Sequence, residues 1–170
     1  MKRLITVFLL LLVLASCGNG NAVRDRFSLP MTLCARTDGS DELYYLSIDR
    51  QICDVTFDRS SVLNGVNLHF EGGKCVYSCG EYTLTVDEGA FPAVSSLIRA
   101  IRAIADTEEN GTEVENGIKY TIDETVILVY YNEDTDIVTG IRTEELGRVF
   151  EFTLSDLKPY EAQSNGAGQP

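Results

Sequence analysis

The feature that most constrains this chain is one change of hydrophobic period, from two to 3.6 residues and back. Phe27, Leu29, Met31, Leu33 and Ala35 alternate with Ser28, Thr32, Cys34 and Arg36, the pattern of a strand with one buried face. Asp38-Gly39-Ser40-Asp41 is a turn signal. Leu43 to Ile48 and Ile52 to Phe57 read as two further strands joined tightly around Asp49-Arg50. Val66, Leu68 and Phe70 alternate next, and Glu71-Gly72-Gly73-Lys74 leads into Cys75, Tyr77 and Cys79. Gly80-Glu81 then leads into Tyr82, Leu84 and Val86. Gly-Gly between alternating runs marks a hairpin. The spacing predicts a six-strand antiparallel meander.

Pro92 suits the first turn of a helix. Val94, Leu97, Ile98, Ile101, Ile104 and Ala105 follow at helical spacing, while Arg99, Arg102 and Asp106 face elsewhere, predicting one amphipathic helix of about four turns. Asp106 to Gly117 reads as an acidic loop. Strands resume at Ile118–Ile122, Thr125–Asn132, Gly140–Glu144 and Arg148–Leu157. Val126 to Tyr131 is apolar throughout, which predicts a strand covered on both faces. With no second long helix, the apolar stripe must rest on the sheet. The fold class is α+β, mostly β.

The N-terminus reads as an export signal. Met1-Lys2-Arg3 precedes Leu4 to Leu14, a run without charge and too short for a comfortable bilayer span of roughly 20 residues. It ends in Leu14-Ala15-Ser16-Cys17, similar to the lipobox of bacterial lipoproteins. Cys17 is therefore the expected lipidation site, its thiol receiving a diacylglyceryl group before cleavage. More than one acyl chain makes such an anchor stable. The expected organisation is a lipoprotein signal at 1–16, a lipidated Cys17 with a flexible tether through 26, one domain at 27–160, and a disordered tail at 161–170. The expected location is the cell membrane, lipid-anchored on its extracytoplasmic face.

The formal net charge is −12, and Lys2 and Arg3 would leave with the signal. Such acidity disfavours nucleic acid and anionic headgroups as partners. Cys34, Cys53, Cys75 and Cys79 form an even set in an exported chain, which admits two disulfides. Four buried reduced thiols is the other reading. Cys75 and Cys79, if on one strand, lie about 13 Å apart and cannot bond to each other.

No catalytic constellation is visible, and the expectation is a protein that is not an enzyme and uses no cofactor. His69 is the only histidine, so any Ser or Cys nucleophile would depend on it, yet alternation puts it on a polar face. Cysteine spacing is wrong for zinc. Asn132, Asp134 and Asp136 resemble a calcium loop, but Ile137 takes the glycine position and Thr143 the glutamate position. Asp106, Glu108, Glu109, Glu113 and Glu115 read as a solvated loop, so no metal is expected.

Strands, one helix and four more strands resemble the lipoprotein-carrier superfamily, the LolA-like fold. The segments that carry the resemblance are Phe57 to Gly65, Asp134 to Ile141 with its Thr139-Gly140 step, and Gly147 to Phe152 before Asp156-Leu157. The resemblance implies a curved antiparallel half-barrel wrapped around the helix, and a binder of acyl chains or lipidated proteins between the two. A shorter chain with one clear helix implies a smaller cavity, or none. Concave apolar surfaces are common ligand sites. The lining candidates are Leu33, Val55, Phe57, Leu68, Phe70, Leu84, Leu128, Phe150 and Phe152 on strands, with Leu97 and Ile101 on the helix. The alternative is a packed core in an envelope module whose surface meets a protein partner.

Overall fold

The computed structural model describes residues 23–132 and 134–159. The lipidation signal with Cys17, most of the tether and the tail lie outside the described residues. Val23 is 1% exposed and Phe27 is buried, so the folded body begins inside the expected tether. Asp25–Phe27 forms a 3₁₀ turn rather than the start of a strand, and the first strand begins after a cis Leu29–Pro30 bond.

Six strands follow in a meander: β1 (Met31–Thr37), β2 (Leu43–Ile48), β3 (Ile52–Phe57), β4 (Val66–Glu71), β5 (Lys74–Cys79) and β6 (Tyr82–Asp87). A 3₁₀ turn at Glu88–Ala90 leads to helix α1 (Pro92–Asp106). Five more strands follow among the described residues: β7 (Thr112–Val114), β8 (Gly117–Ile122), β9 (Thr125–Asn132), β10 (Ile137–Glu145) and β11 (Arg148–Pro159). The short β7 arises inside the segment expected to be an acidic loop.

All eleven form one antiparallel sheet in the order β6-β5-β4-β3-β2-β1-β11-β10-β9-β8-β7. The sheet curls without closing, giving the half-barrel that the resemblance implied. Chain order explains the topology. Each hairpin adds a strand to its neighbour, and the only non-sequential contact, β1 with β11, joins the two meanders at the centre. Among the described residues no strand pairs with the outer edge of β6 or of β7.

Helix α1 fills the concave side. Val94, Leu97, Ile98, Ile101 and Ile104 are buried, as the 3.6 period requires. Each such side chain contributes roughly 1.5–3 kcal/mol by leaving water. Arg99 on the outer side bridges Glu88 (2.9 Å) and Glu145 (2.8 Å), tying the helix to both arms of the sheet. One close approach is specific. A side chain at Gly140 would place its Cβ 2.7 Å from the Phe152 carbonyl oxygen, at the bulge where β10 shifts register against β9.

Candidate functional site

The register of β1–β6 lines the concave face with three parallel rows of side chains. One row runs Met31, Ile48, Cys53, Phe70, Cys75, Val86. A second runs Leu33, Leu46, Val55, Leu68, Tyr77, Leu84, and the third contains Tyr44, Val66, Cys79 and Tyr82. Near the helix these residues are sealed. Toward β6 they open, and in the second row Leu68 is buried while Leu84 is 60% exposed. Tyr82 ends the third row at 83% exposed. The apolar lining thus outruns the helix that covers it.

The lining candidates divide accordingly. Leu33, Val55, Leu68, Phe70, Phe152, Leu97 and Ile101 are fully buried in one core. Phe57 and Phe150 are half-buried against that core, and Phe57 lies 6.0 Å from the Tyr44 ring. Phe91, before the helix, meets Phe70 edge-on at 6.3 Å. Leu84 alone among the candidates is widely open on the concave side. Leu128 points the other way. It pairs with Lys119 and Arg142, and Ile127 and Val129 take the buried face. The strand is accordingly not sealed on both faces: Val126, Leu128 and Tyr130 are half-buried outside. An outer concavity is lined by Val114, Lys119, Val126, Leu128 and Arg142.

Polar chemistry lies on the convex face. His69 stands opposite Asp54, with Nδ1 2.7 Å from the Asp54 carboxylate. That bond raises the His69 pKa above its ordinary value, helped by the charges of Asp54 and Glu71. Nε2 faces Glu71 at 3.8 Å rather than a hydroxyl or thiol, so no nucleophile–base contact is made. Cys34, on β1 with two strands between it and β4, has its thiol 3.8 Å from Asp156, its pKa raised by burial and by that carboxylate. A thiol held protonated in this way is a poor nucleophile.

The four described cysteines are free. Cys53 and Cys75 share a face but Phe70 sits between them, two strand spacings or roughly 10 Å across. Cys34 faces outward, away from the other three. Sheet geometry therefore separates the thiols that the even count offered for pairing. Asn132 accepts the backbone N–H groups of Asp134 and Thr135 at 2.9 and 3.2 Å, making a turn of the segment that resembles a calcium loop. Among the described residues no cluster of three or more His, Cys, Asp or Glu side chains is arranged to hold a metal. Nor is any described helix long and apolar enough to cross a membrane.

No family model matches the chain, and no curated protein matches it either. Among solved structures, it is similar to a LolA superfamily protein from Nitrosomonas europaea. The two share 11% identity at a TM-score of 0.44, over 84% of this chain and 94% of the other.

Proposed function

We propose that this is a lipid-anchored extracytoplasmic domain, non-catalytic, that binds an apolar chain at the open end of its concave face. One observation carries the reading: the row that begins in the core at Leu33 and Leu68 ends at a widely exposed Leu84. A concave apolar surface continuous with a core, with Tyr77 and Tyr82 beside it, suits an acyl chain lying along the trough. Anchoring through Cys17 would hold that trough beside a membrane. The acidic surface, at −12 overall, would keep the domain off anionic headgroups.

The test is mass spectrometry of gently purified protein, followed by titration with a fluorescent fatty acid. Co-purified acyl lipid, together with fatty-acid affinity lowered about tenfold by Leu84→Glu, is the expected result. Empty protein that also fails to take up the fatty acid would overturn it. Labelling cells with a tritiated palmitate checks the anchor, and Cys17→Ser should abolish incorporation.

The second reading is an envelope interaction module with no small ligand. It is favoured by the tight burial of Leu97, Ile101 and Ile104 against the sheet. On that reading the exposed apolar residues are contacts for a protein.

A further inference from the structure

The two edges of the sheet differ in kind. Strand β7 has three residues and carries Glu113, with Glu115 just beyond it, which are common ways to blunt an edge. Strand β6, Tyr-Thr-Leu-Thr-Val-Asp, is twice as long and holds neither proline nor lysine. Its pairing with β5 runs from Lys74–Asp87 to Cys79–Tyr82 without a bulge. Among the described residues nothing turns this edge away from a partner.

The backbone on that edge is poised for pairing. Cys79 and Tyr82 close a two-residue turn with Gly80 at φ +59°, so they form a mutually hydrogen-bonded pair. The same phase persists at the far end, where the Glu88 N–H donates to the Gly73 carbonyl at 3.1 Å. Alternation then leaves the N–H and C=O groups of Thr83 and Thr85 directed outward from the sheet. On the concave side, Tyr82 and Leu84 await cover.

We propose that β6 takes up an extended segment of another protein, apolar at alternate positions and basic at the end that meets Glu81. Such a strand would complete the outward hydrogen bonds while its apolar side chains cover Tyr82 and Leu84. Charge selects the occupant. Glu81, at one end of β6, makes no ion pair among the described residues, whereas Asp87 at the other end is paired with Lys74 at 2.5 Å, and the whole chain is at −12. A second copy would bring the same −12 charge and a second unpaired Glu81, which is unfavourable. A strand with a basic end meets Glu81. This interaction covers the same Tyr82 and Leu84 as acyl binding but differs in using the backbone edge, which an acyl chain does not engage.

The test uses the folded protein and a labelled peptide, acetyl-Lys-Val-Thr-Val-Thr-Val-Lys-amide, followed by fluorescence anisotropy. Saturable binding is expected. It should be lost when alternate peptide nitrogens are methylated, and weakened about tenfold by Thr85→Pro. Proline there removes only an outward N–H, which edge strands tolerate. Glu81→Lys gives a second check that leaves the backbone intact, and it too should weaken binding. Fatty-acid uptake by Thr85→Pro should stay as in the parent, so the two proposals fail separately. No binding of the peptide, equal binding of its methylated form, or affinities within about twofold for both variants would overturn the proposal. So would concentration-dependent dimers abolished by Thr85→Pro, since the edge would then serve a second copy.

Discussion

The hydroxyls of Ser96 and Thr143 lie 2.7 Å apart in the buried interface between helix α1 and strand β10. Both residues are buried, and each hydroxyl satisfies the other. Ser96→Ala alone strands the Thr143 hydroxyl and should cost about 1–3 kcal/mol. Thr143→Val should cost a similar amount. The double variant should recover much of the loss, because no buried polar group is then left alone. Urea unfolding of the four proteins checks this. Strictly additive losses would mean that the hydroxyls do not support each other.

The exposure gradient along the concave face sets a contrast in stability. Ile101 is fully buried on the helix, so Ile101→Ala should cost about 2–5 kcal/mol. Leu84→Ala, on the open end of the same trough, should change stability by less than about 0.5 kcal/mol. Midpoints of chemical unfolding separate the two. A Leu84→Ala loss as large as that of Ile101→Ala would show the open end to be packed in solution.

His69 gives a titration with a defined sign. Its folded pKa is raised, chiefly by the hydrogen bond to Asp54, while the unfolded chain has the ordinary value of about 6.5. The protonated ring is therefore the form that the fold favours. Its contribution is fully present below the unfolded pKa and is lost as pH rises through the folded one. NMR titration of the ring protons should give a midpoint above 6.5, and Asp54→Asn should lower that midpoint. No movement of the midpoint in Asp54→Asn would sink the assignment. The effect on stability should be small, because the pair stands in solvent.

Much of this architecture was legible because period and punctuation agree locally. Leu43–Ile48, Ile52–Phe57 and Thr125–Asn132 occur with the boundaries that alternation and turn residues assign. Helix α1 starts at Pro92, where proline suits a first turn. The failures lie where the local signal is silent about a distant partner. Val126 to Tyr131 is apolar at every position, so it has no phase of its own. Its neighbours set which of its residues face the core: Ile127 and Val129 lie between the buried Thr143 and Ile141 of β10 and the buried Tyr120 and Ile118 of β8, and Leu128, between Arg142 and Lys119, is left outside. Thr112–Val114 carries one acid between a Thr and a Val inside an acidic run, too short to show a period, and it pairs as a strand with β8. Leu84 has the same alternation as Leu68. Only the reach of the helix distinguishes an exposed position from a buried one, and periodicity carries no information about reach.

The thiols supply the last prediction. Burial pushes the Cys53 pKa up to about 12, opposed in part by the nearby Arg102 charge, and burial raises that of Cys75 as well. Reaction with thiol reagents requires the thiolate and an open path, so both should stay unmodified while the domain is folded. Cys79, half-buried toward the open end, should react first. Residue-resolved mass spectrometry after brief treatment with a maleimide at neutral pH measures the order. In the same experiment an oxidant should produce no disulfide among Cys34, Cys53, Cys75 and Cys79 until denaturant is added. A separation of roughly 10 Å between Cys53 and Cys75 exceeds what a disulfide can span. Rapid formation of a Cys53–Cys75 bond in the native protein would require β4 to leave its place between them, and would contradict the register of the sheet.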